Sequence, residues 1–389
     1  MFNNLFPPIK SGSSHFTYRL SKMLVERGHD VTVVAAKIPG SAARESLDGI
    51  DVHRLECWML PQLEIAHNFR YLSYTFFPSN VRYVKRLLID KGIQVLHQHG
   101  QIFDTALTSA YLGQSLALPL VNTIHTPVLH TVPFYLRTLV LLDKLFVKHF
   151  IIRYAKIVIA PDKTVVDNIN ERYQHPWIEV VPYGIDKPNF DPAKGIEIRR
   201  KYKIGDRPLI LSLGHVHNLR DRCDLIEAMP HIRKAVGDVV LLIVGDVYTQ
   251  KPVELADRLG LKDCVIFAGS VPHSEVGDYL AACDIEAHWL SNAPGLGIAA
   301  MEAMSVGVPV ISSIGADDLG EGLLKNGENI LLIERGSIES ITNACVALLR
   351  DPDYRRQVGE KGKRVIEENF SWESVTDRME AVYKKLIAS

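Results

Sequence analysis

Short apolar runs alternate with helical periodicity along almost the whole chain. In the first half the runs at residues 30–35, 95–97, 120–124, 157–160 and 178–181 read as buried strands. In the second half those at 209–213, 239–244, 265–267, 285–288 and 309–312 do the same. Strands that are apolar throughout, rather than alternating, are buried on both faces, and intervening helices make their sheet parallel. Two such sets predict two doubly wound α/β domains. The division falls near Pro182-Tyr183-Gly184-Ile185-Asp186, after which residues 187–207 are polar and proline-containing.

Open parallel sheets bind ligands beyond the C-terminal ends of their strands, near the switch point. Three loops of the second domain meet that condition. Gly214-His215-Val216-His217-Asn218-Leu219-Arg220 follows one strand, Gly269-Ser270-Val271-Pro272 another, and Gly295-Leu296-Gly297-Ile298-Ala299-Ala300-Met301-Glu302 a third. In the last, a small-residue turn runs straight into a helix. Free amides at a helix start favour phosphate, and glycines let it approach the backbone. Glu302, about one and a half turns in, is placed to accept hydrogen bonds from ribose hydroxyls. A nucleoside diphosphate would fit: amides and Arg220 on phosphate, Val271 against a base, Glu302 on ribose. The blander alternatives are a core helix with one solvated Glu, and an Arg220 that only pairs with Asp221.

Composition narrows the class. At 389 residues, 47% hydrophobic and 23% charged, the chain has material for two full cores. A formal net charge of -1 directs nothing toward nucleic acid. The cysteines, Cys57, Cys223, Cys264, Cys283 and Cys345, are odd in number and widely spaced, so neither a disulfide framework nor a zinc site is implied. A reducing, cytoplasmic setting fits. His97 and His99 share one face of a strand with no third ligand in sight, which argues against metal.

Taken together these residues resemble the family 4 glycosyltransferases, retaining sugar-nucleotide transferases of the GT-B fold, over essentially the whole chain. Leu5-Phe6-Pro7-Pro8-Ile9-Lys10-Ser11-Gly12 is similar to the family's glycine loop, and Arg27-Gly28-His29-Asp30-Val31 to the entry of its second strand. His125, in Thr123-Ile124-His125-Thr126-Pro127, matches the donor-site histidine. Val181-Pro182-Tyr183-Gly184-Ile185-Asp186 resembles the segment before the interdomain linker, with Tyr183 where Asn is usual. Phe370-Ser371-Trp372 resembles the opening of the C-terminal helix. The resemblance implies an N-terminal acceptor-side Rossmann-like domain at 1–186 and a nucleotide-sugar-binding one at 187–368. A helix at 369–389 then returns to the first domain, and the two domains face each other across the donor cleft. It also implies transfer of a sugar from a nucleotide-diphosphate sugar to a hydroxyl, with His125 and Arg220 in catalytic roles. Gly12, Gly214, His215, Val271, Gly295, Gly297, Ile298 and Glu302 would bind the donor.

Three departures qualify that expectation. The family's two glutamates are separated by seven residues; Glu302 matches the second, and Pro294 stands at the first. Either sugar recognition differs or turnover is lost, so a nucleotide-sugar-binding pseudo-transferase is one alternative and a GT-B-type epimerase another. The family's phosphate-clamping Arg and Lys fall on His215 and Arg220. Only Met1-Phe2-Asn3 precedes the proline-rich loop, where the family has a strand of about six residues. A truncated first strand is therefore expected, leaving two neighbours unpaired along an apolar slot.

No D-x-D-like aspartate pair stands at a strand end, so leaving-group charge would be met by Arg220, His215 and the helix starts at Gly12 and Gly297, with no metal or other cofactor. The acceptor, whether a glycan, a lipid-linked sugar or a small molecule, would lie against the first domain, where residues 57–86 are rich in aromatics. Residues 136–153 are apolar almost all round, with Arg137, Lys144, Lys148 and Arg153 along them. They read foremost as a buried helix whose cations snorkel; the alternative is peripheral contact with an anionic membrane on its inner face.

Overall fold

The computed structural model describes the chain except residues 10, 67–70, 129, 131, 217–220, 289, 291–295 and 389. Two compact units form, Met1–Gly184 with Trp372–Ser389, and Ile185–Ser371.

The sheet of the first unit runs, in spatial order, Arg44–Leu47, Ile50–Leu55, Thr32–Ala36, Phe2, Leu96–His99, Leu120–Thr123, Ile157–Ala160 and Ile178–Val180. Neighbours are parallel except for the first pair. Phe2 stands where the first strand was expected to be short. Val34 N–H donates to the Met1 carbonyl at 2.8 Å and Asn3 N–H to that of Val34 at 3.0 Å. On the other side Phe2 N–H donates to the His97 carbonyl at 2.7 Å and His99 N–H to that of Phe2 at 2.8 Å. The expectation of unpaired neighbours is thus corrected at these positions. A cavity of about 360 Å³ lined by Met1, Val31, Leu88, Val95 and Tyr383 continues the slot.

Helix Gly12–Glu26 begins on Ser11, whose hydroxyl accepts from Ser14 N–H, and buries Phe16, Leu20 and Leu24 at fourfold spacing. Helix Trp372–Ala388 sets Trp372, Val375, Met379, Val382 and Leu386 into the same core. Its indole lies directly on the backbone of Gly184, where a Cβ would come 2.4 Å from the ring.

Residues 133–150 overturn the reading of a buried helix. They are helical, but no residue of Pro133–Leu142 is buried. The stretch is fastened through its middle: Asp143 Oδ2 meets Arg172 at 3.1 Å, Oδ1 accepts from the Tyr173 hydroxyl at 2.6 Å, and Val147 is buried. Phe134 (71% exposed), Leu141, Leu142, Leu145, Phe146 and Phe150 face outward.

The second unit carries one fully parallel sheet in the order Val265–Gly269, Val240–Val244, Leu209–Leu213, Ile285–Ala287, Val310–Ser312, Leu331–Leu332. The chain starts in the middle, winds outward one way, then returns to wind the other. That reversal puts the switch point between Leu209–Leu213 and Ile285–Ala287.

Candidate functional site

Because the central strands of the second unit are parallel neighbours, the loops after Leu213, Gly269 and Ala287 open on one sheet edge. Gly214 follows Leu213 with φ 107°, and Gly245 follows Val244 with φ 145°. A Cβ on Gly245 would lie 2.4 Å from the Gly214 carbonyl oxygen, so only glycine lets these turns pack. Val216 N–H donates to Asp246 O and Tyr248 N–H to Val216 O, both at 2.8 Å, pinning the start of the loop.

His215 is half exposed on this loop. Its Nδ1 accepts from Asp246 N–H at 3.1 Å, which leaves the ring proton on Nε2 as a donor for an anion. Arg220, Gly295 and Pro294 lie outside the described residues. Val271, half-buried, packs on the cluster holding Leu296, Ala300 and Met301.

Gly297, at φ 75°, starts helix Ile298–Ser305 with no side-chain cap, so the first amides are left to other acceptors. Ile298, in the first turn, is exposed, while Glu302, one turn further in, is 4% exposed. Burial, and then the nearby Asp186 charge, raise the Glu302 carboxyl to about 7. His273 Nε2 stands 3.3 Å from its Oε1. This is not the solvated Glu of the blander reading. It is a carboxyl held in poorly hydrated surroundings just behind an anion-favouring helix start.

Three residues that the sequence reading passed over support these loops. Arg222, buried and at φ 67°, donates from Nε to Ser212 Oγ at 2.7 Å and from Nη2 to the carbonyls of Leu213 and Gly214 at 3.0 and 3.2 Å. Glu286 and His288 are buried at the end of the neighbouring strand, with His288 Nδ1 3.0 Å from Glu286 Oε1. Their signal was present: two polar residues at period two interrupt an apolar strand, marking one side chain direction. The guanidinium ties down the Gly214 turn from beneath, against low-dielectric surroundings that lower its pKa to about 10.

In the first unit Gly12 is exposed at the start of its helix, with open space where a Cβ would lie. His125 follows strand Leu120–Thr123 and is 7% exposed. Its Nδ1 lies 3.2 Å from the Tyr183 hydroxyl, and its Nε2 3.3 Å from His99 Nδ1. The Tyr183 hydroxyl also donates to the His125 carbonyl at 2.8 Å. Phe16 packs edge-on against both rings, at 5.5 Å between centroids. Burial lowers the His125 pKa to about 4, so the ring is neutral near pH 7. Among the described residues no group of three His, Cys, Asp or Glu is arranged to hold a metal ion.

Two adjoining family models match this chain, "Glycosyltransferase Family 4" over residues 10–187 and "Glycosyl transferases group 1" over residues 195–365. The chain belongs to the family 4 glycosyltransferases, with the GT-B fold of two Rossmann-like domains. It is 29% identical over 213 residues to a GDP-mannose-dependent alpha-(1-6)-phosphatidylinositol monomannoside mannosyltransferase of Mycobacterium tuberculosis. That match covers 52% of this chain and 54% of the relative, so the chain spans about half the length of this relative. An N-acetyl-alpha-D-glucosaminyl L-malate synthase of Bacillus anthracis is 24% identical over 97% of this chain and 94% of its own length. Among solved structures, a sucrose-phosphate synthase from Thermosynechococcus elongatus shares the fold at TM-score 0.69 and 21% identity, over 97% of this chain and 94% of its own.

Proposed function

We propose that this protein transfers a sugar from a nucleotide-diphosphate sugar to a hydroxyl of a lipid-linked or glycan acceptor, with retention and without a metal ion. The observation that carries the reading is the uncapped helix start at Gly297 with buried Glu302 behind it, at the switch point of a parallel sheet. Amides of that helix, the His215 Nε2–H and Arg220 would meet the diphosphate, and the Glu302 carboxylate the ribose hydroxyls. Departure of the nucleotide leaves charge on the phosphate, and these donors stabilise it without reorganising.

A panel of UDP-, GDP- and ADP-sugars without acceptor tests this. Slow hydrolysis of one donor is expected. Tight donor binding with neither hydrolysis nor transfer would make the protein a nucleotide-sugar binder, and epimerised donor would make it an epimerase. Glu302→Ala should weaken nucleoside diphosphate binding by about 1–3 kcal/mol, the worth of a charge-assisted bond to ribose. Since Glu302 titrates near 7, wild-type affinity should rise from pH 6 to pH 8 more steeply than that of Glu302→Gln. Calorimetry reads both, and equal affinities in a folded Glu302→Ala protein would remove the residue from the site.

The acceptor side has its own support. The exposed apolar face of residues 133–150 carries Arg137, Lys144 and Lys148. It adjoins a second exposed segment holding Trp58, Met59, Leu60 and Leu63. His130 Nε2 donates to the Glu64 carbonyl at 3.0 Å, and the Tyr135 hydroxyl to the Glu64 carboxylate at 3.3 Å, which joins the two. Apolar side chains with interleaved cations fit the headgroup region of an anionic bilayer, from the inner face of the membrane. The mannosyltransferase relative is named for a phosphatidylinositol acceptor, which agrees with a lipid partner. Among the described residues no helix is long and apolar enough to cross a membrane, so the contact proposed is peripheral. Co-sedimentation with vesicles of phosphatidylglycerol and phosphatidylcholine should retain the protein, and Leu141→Glu with Leu145→Glu should release it. Retention unaltered by those changes would place any lipid contact elsewhere.

A further inference from the structure

The His97-x-His99 pair has no part in the function proposed above, yet its strand carries it to the one histidine that the family resemblance assigns to the donor. His97 and His99 are fully enclosed and stack at 4.1 Å between ring centroids. His97 is satisfied at both nitrogens, by the Tyr383 hydroxyl at 2.6 Å and Thr123 Oγ1 at 2.7 Å. His99 is not. Its Nδ1 meets His125 Nε2 at 3.3 Å, while its Nε2 is buried with no hydrogen-bond partner among the described residues.

The proton positions follow from the contacts. Tyr183 has one hydroxyl proton, and the His125 carbonyl at 2.8 Å, which can only accept, takes it. The contact between Tyr183 Oη and His125 Nδ1 must then run from ring to hydroxyl, so Nδ1 carries the proton. That leaves a lone pair on His125 Nε2, filled by His99 Nδ1–H. His99 Nε2 is then an unprotonated nitrogen, on a ring that lies 5.9 Å from that of Phe16 between centroids. The reverse arrangement gives one Tyr183 proton two acceptors. It also buries an N–H at His99 Nε2 with nothing to receive it, the costlier kind of orphan.

We propose that His99 and Tyr183 are positioning residues that hold His125 in its Nδ1–H tautomer from opposite sides. With both nitrogens engaged, His125 presents the donor a ring fixed in place, with no nitrogen free to bond it, and takes no part in proton transfer. The inference rests on the reading of His125 as a donor-binding residue, but its first test does not.

In the full chain labelled with ¹⁵N-histidine, His125 should show a protonated Nδ1 and an unprotonated Nε2 at pH 7. His99→Leu removes the donor to Nε2; it should let the Nε2–H form appear and lower kcat/KM about tenfold or more, as a loosened binding group does. His99→Asn, whose amide can stand in for Nδ1–H, should keep the tautomer and recover most of the rate. Tyr183→Phe, which deletes a single oxygen and is the safer variant for folding, should release Nδ1 and lower kcat/KM in the same way. An Nε2–H ring in the wild type, or a His125 tautomer that neither His99→Leu nor Tyr183→Phe disturbs, overturns the proposal. So does a disturbed tautomer with unchanged kcat/KM. If the tautomers respond as stated while no donor turns over in any variant, the transferase reading fails and the assignment of the two positioning residues for catalysis falls with it; the spectra tell the two failures apart.

Discussion

Arg220→Ala is expected to lower turnover about a hundredfold or more, the usual effect of removing one preorganised charge from a leaving group. By its spacing from Gly214 in the sequence, Arg220 matches the family's phosphate-clamping position in the loop after strand Leu209–Leu213, where the proposed diphosphate needs a cation. Its neighbours are otherwise employed. Asp221, offered by the sequence as a simple ion-pair partner for Arg220, accepts from Cys223 N–H at 3.0 Å and meets Lys251 at 2.7 Å, so both its oxygens are engaged. Arg222 turns inward to the carbonyls of Leu213 and Gly214. Arg220→Lys should keep part of the rate, because a point charge replaces a planar fork. Activity should survive chelation, and a strict need for Mg²⁺ or Mn²⁺ would contradict leaving-group stabilisation by protein groups. A near-normal rate for Arg220→Ala would leave that residue a surface side chain.

How far the sequence carried the reading differs between fold and site. Every apolar run read as a strand appears as one, because a strand buried on both faces writes its environment into consecutive residues. The pair Arg44–Leu47 and Ile50–Leu55 was passed over: the first is charged and half exposed, and edge pairing leaves little periodic signal. Residues 133–150 misled because hydrophobicity all round a helix indicates burial only if partners exist on every side, and partners are a tertiary fact. In the site, the glycines and Glu302 were legible from order along the chain. The burial of Glu302 was not, since it depends on how sheet and loops enclose the helix, with Asp186 brought near from the far end of the unit. Tyr183 was noticed as a departure, but its role came from three distant segments meeting at His125.

Mild acid should unfold the first unit before the second. His97, His99 and His125 are buried, and burial, followed by their mutual proximity for His99 and by other nearby charges, holds His97 and His99 well below the usual histidine range. Burial puts His125 at about 4, against about 6.5 when unfolded. The folded pKa is depressed, so the stability these groups contribute is present in full above about pH 6.5. It is lost as pH falls toward the folded values, because the unfolded chain then binds protons that the native one refuses. For His125 alone the shift corresponds to roughly 3 kcal/mol. That is a large share of a whole domain's stability, about 5–15 kcal/mol, and His97 and His99 act in the same direction. Carboxylates with lowered pKa in the same unit, among them Asp51, Glu179 and Glu380, act only below unfolded values of about 4.5 or less, so the window from 6.5 to 4.5 reports on the histidines together with the Met1 amino group, which burial lowers to about 5. In the second unit Glu302 has the opposite sign: raised to about 7, it contributes stability that is complete below about pH 4.5 and fades as pH rises through 7. Hydrogen exchange at pH 7.5 and pH 5, corrected for intrinsic rates, should therefore show protection lost first in Leu96–His99 and Leu120–Thr123 and retained in Leu209–Leu213 and Val240–Val244. His99→Asn, with no ionisable ring, should flatten the acid slope of the first unit. Protection lost first in the strands of the second unit would mean that the histidine cluster is hydrated and titrates normally, and the fixed tautomer at His125 would lose its basis.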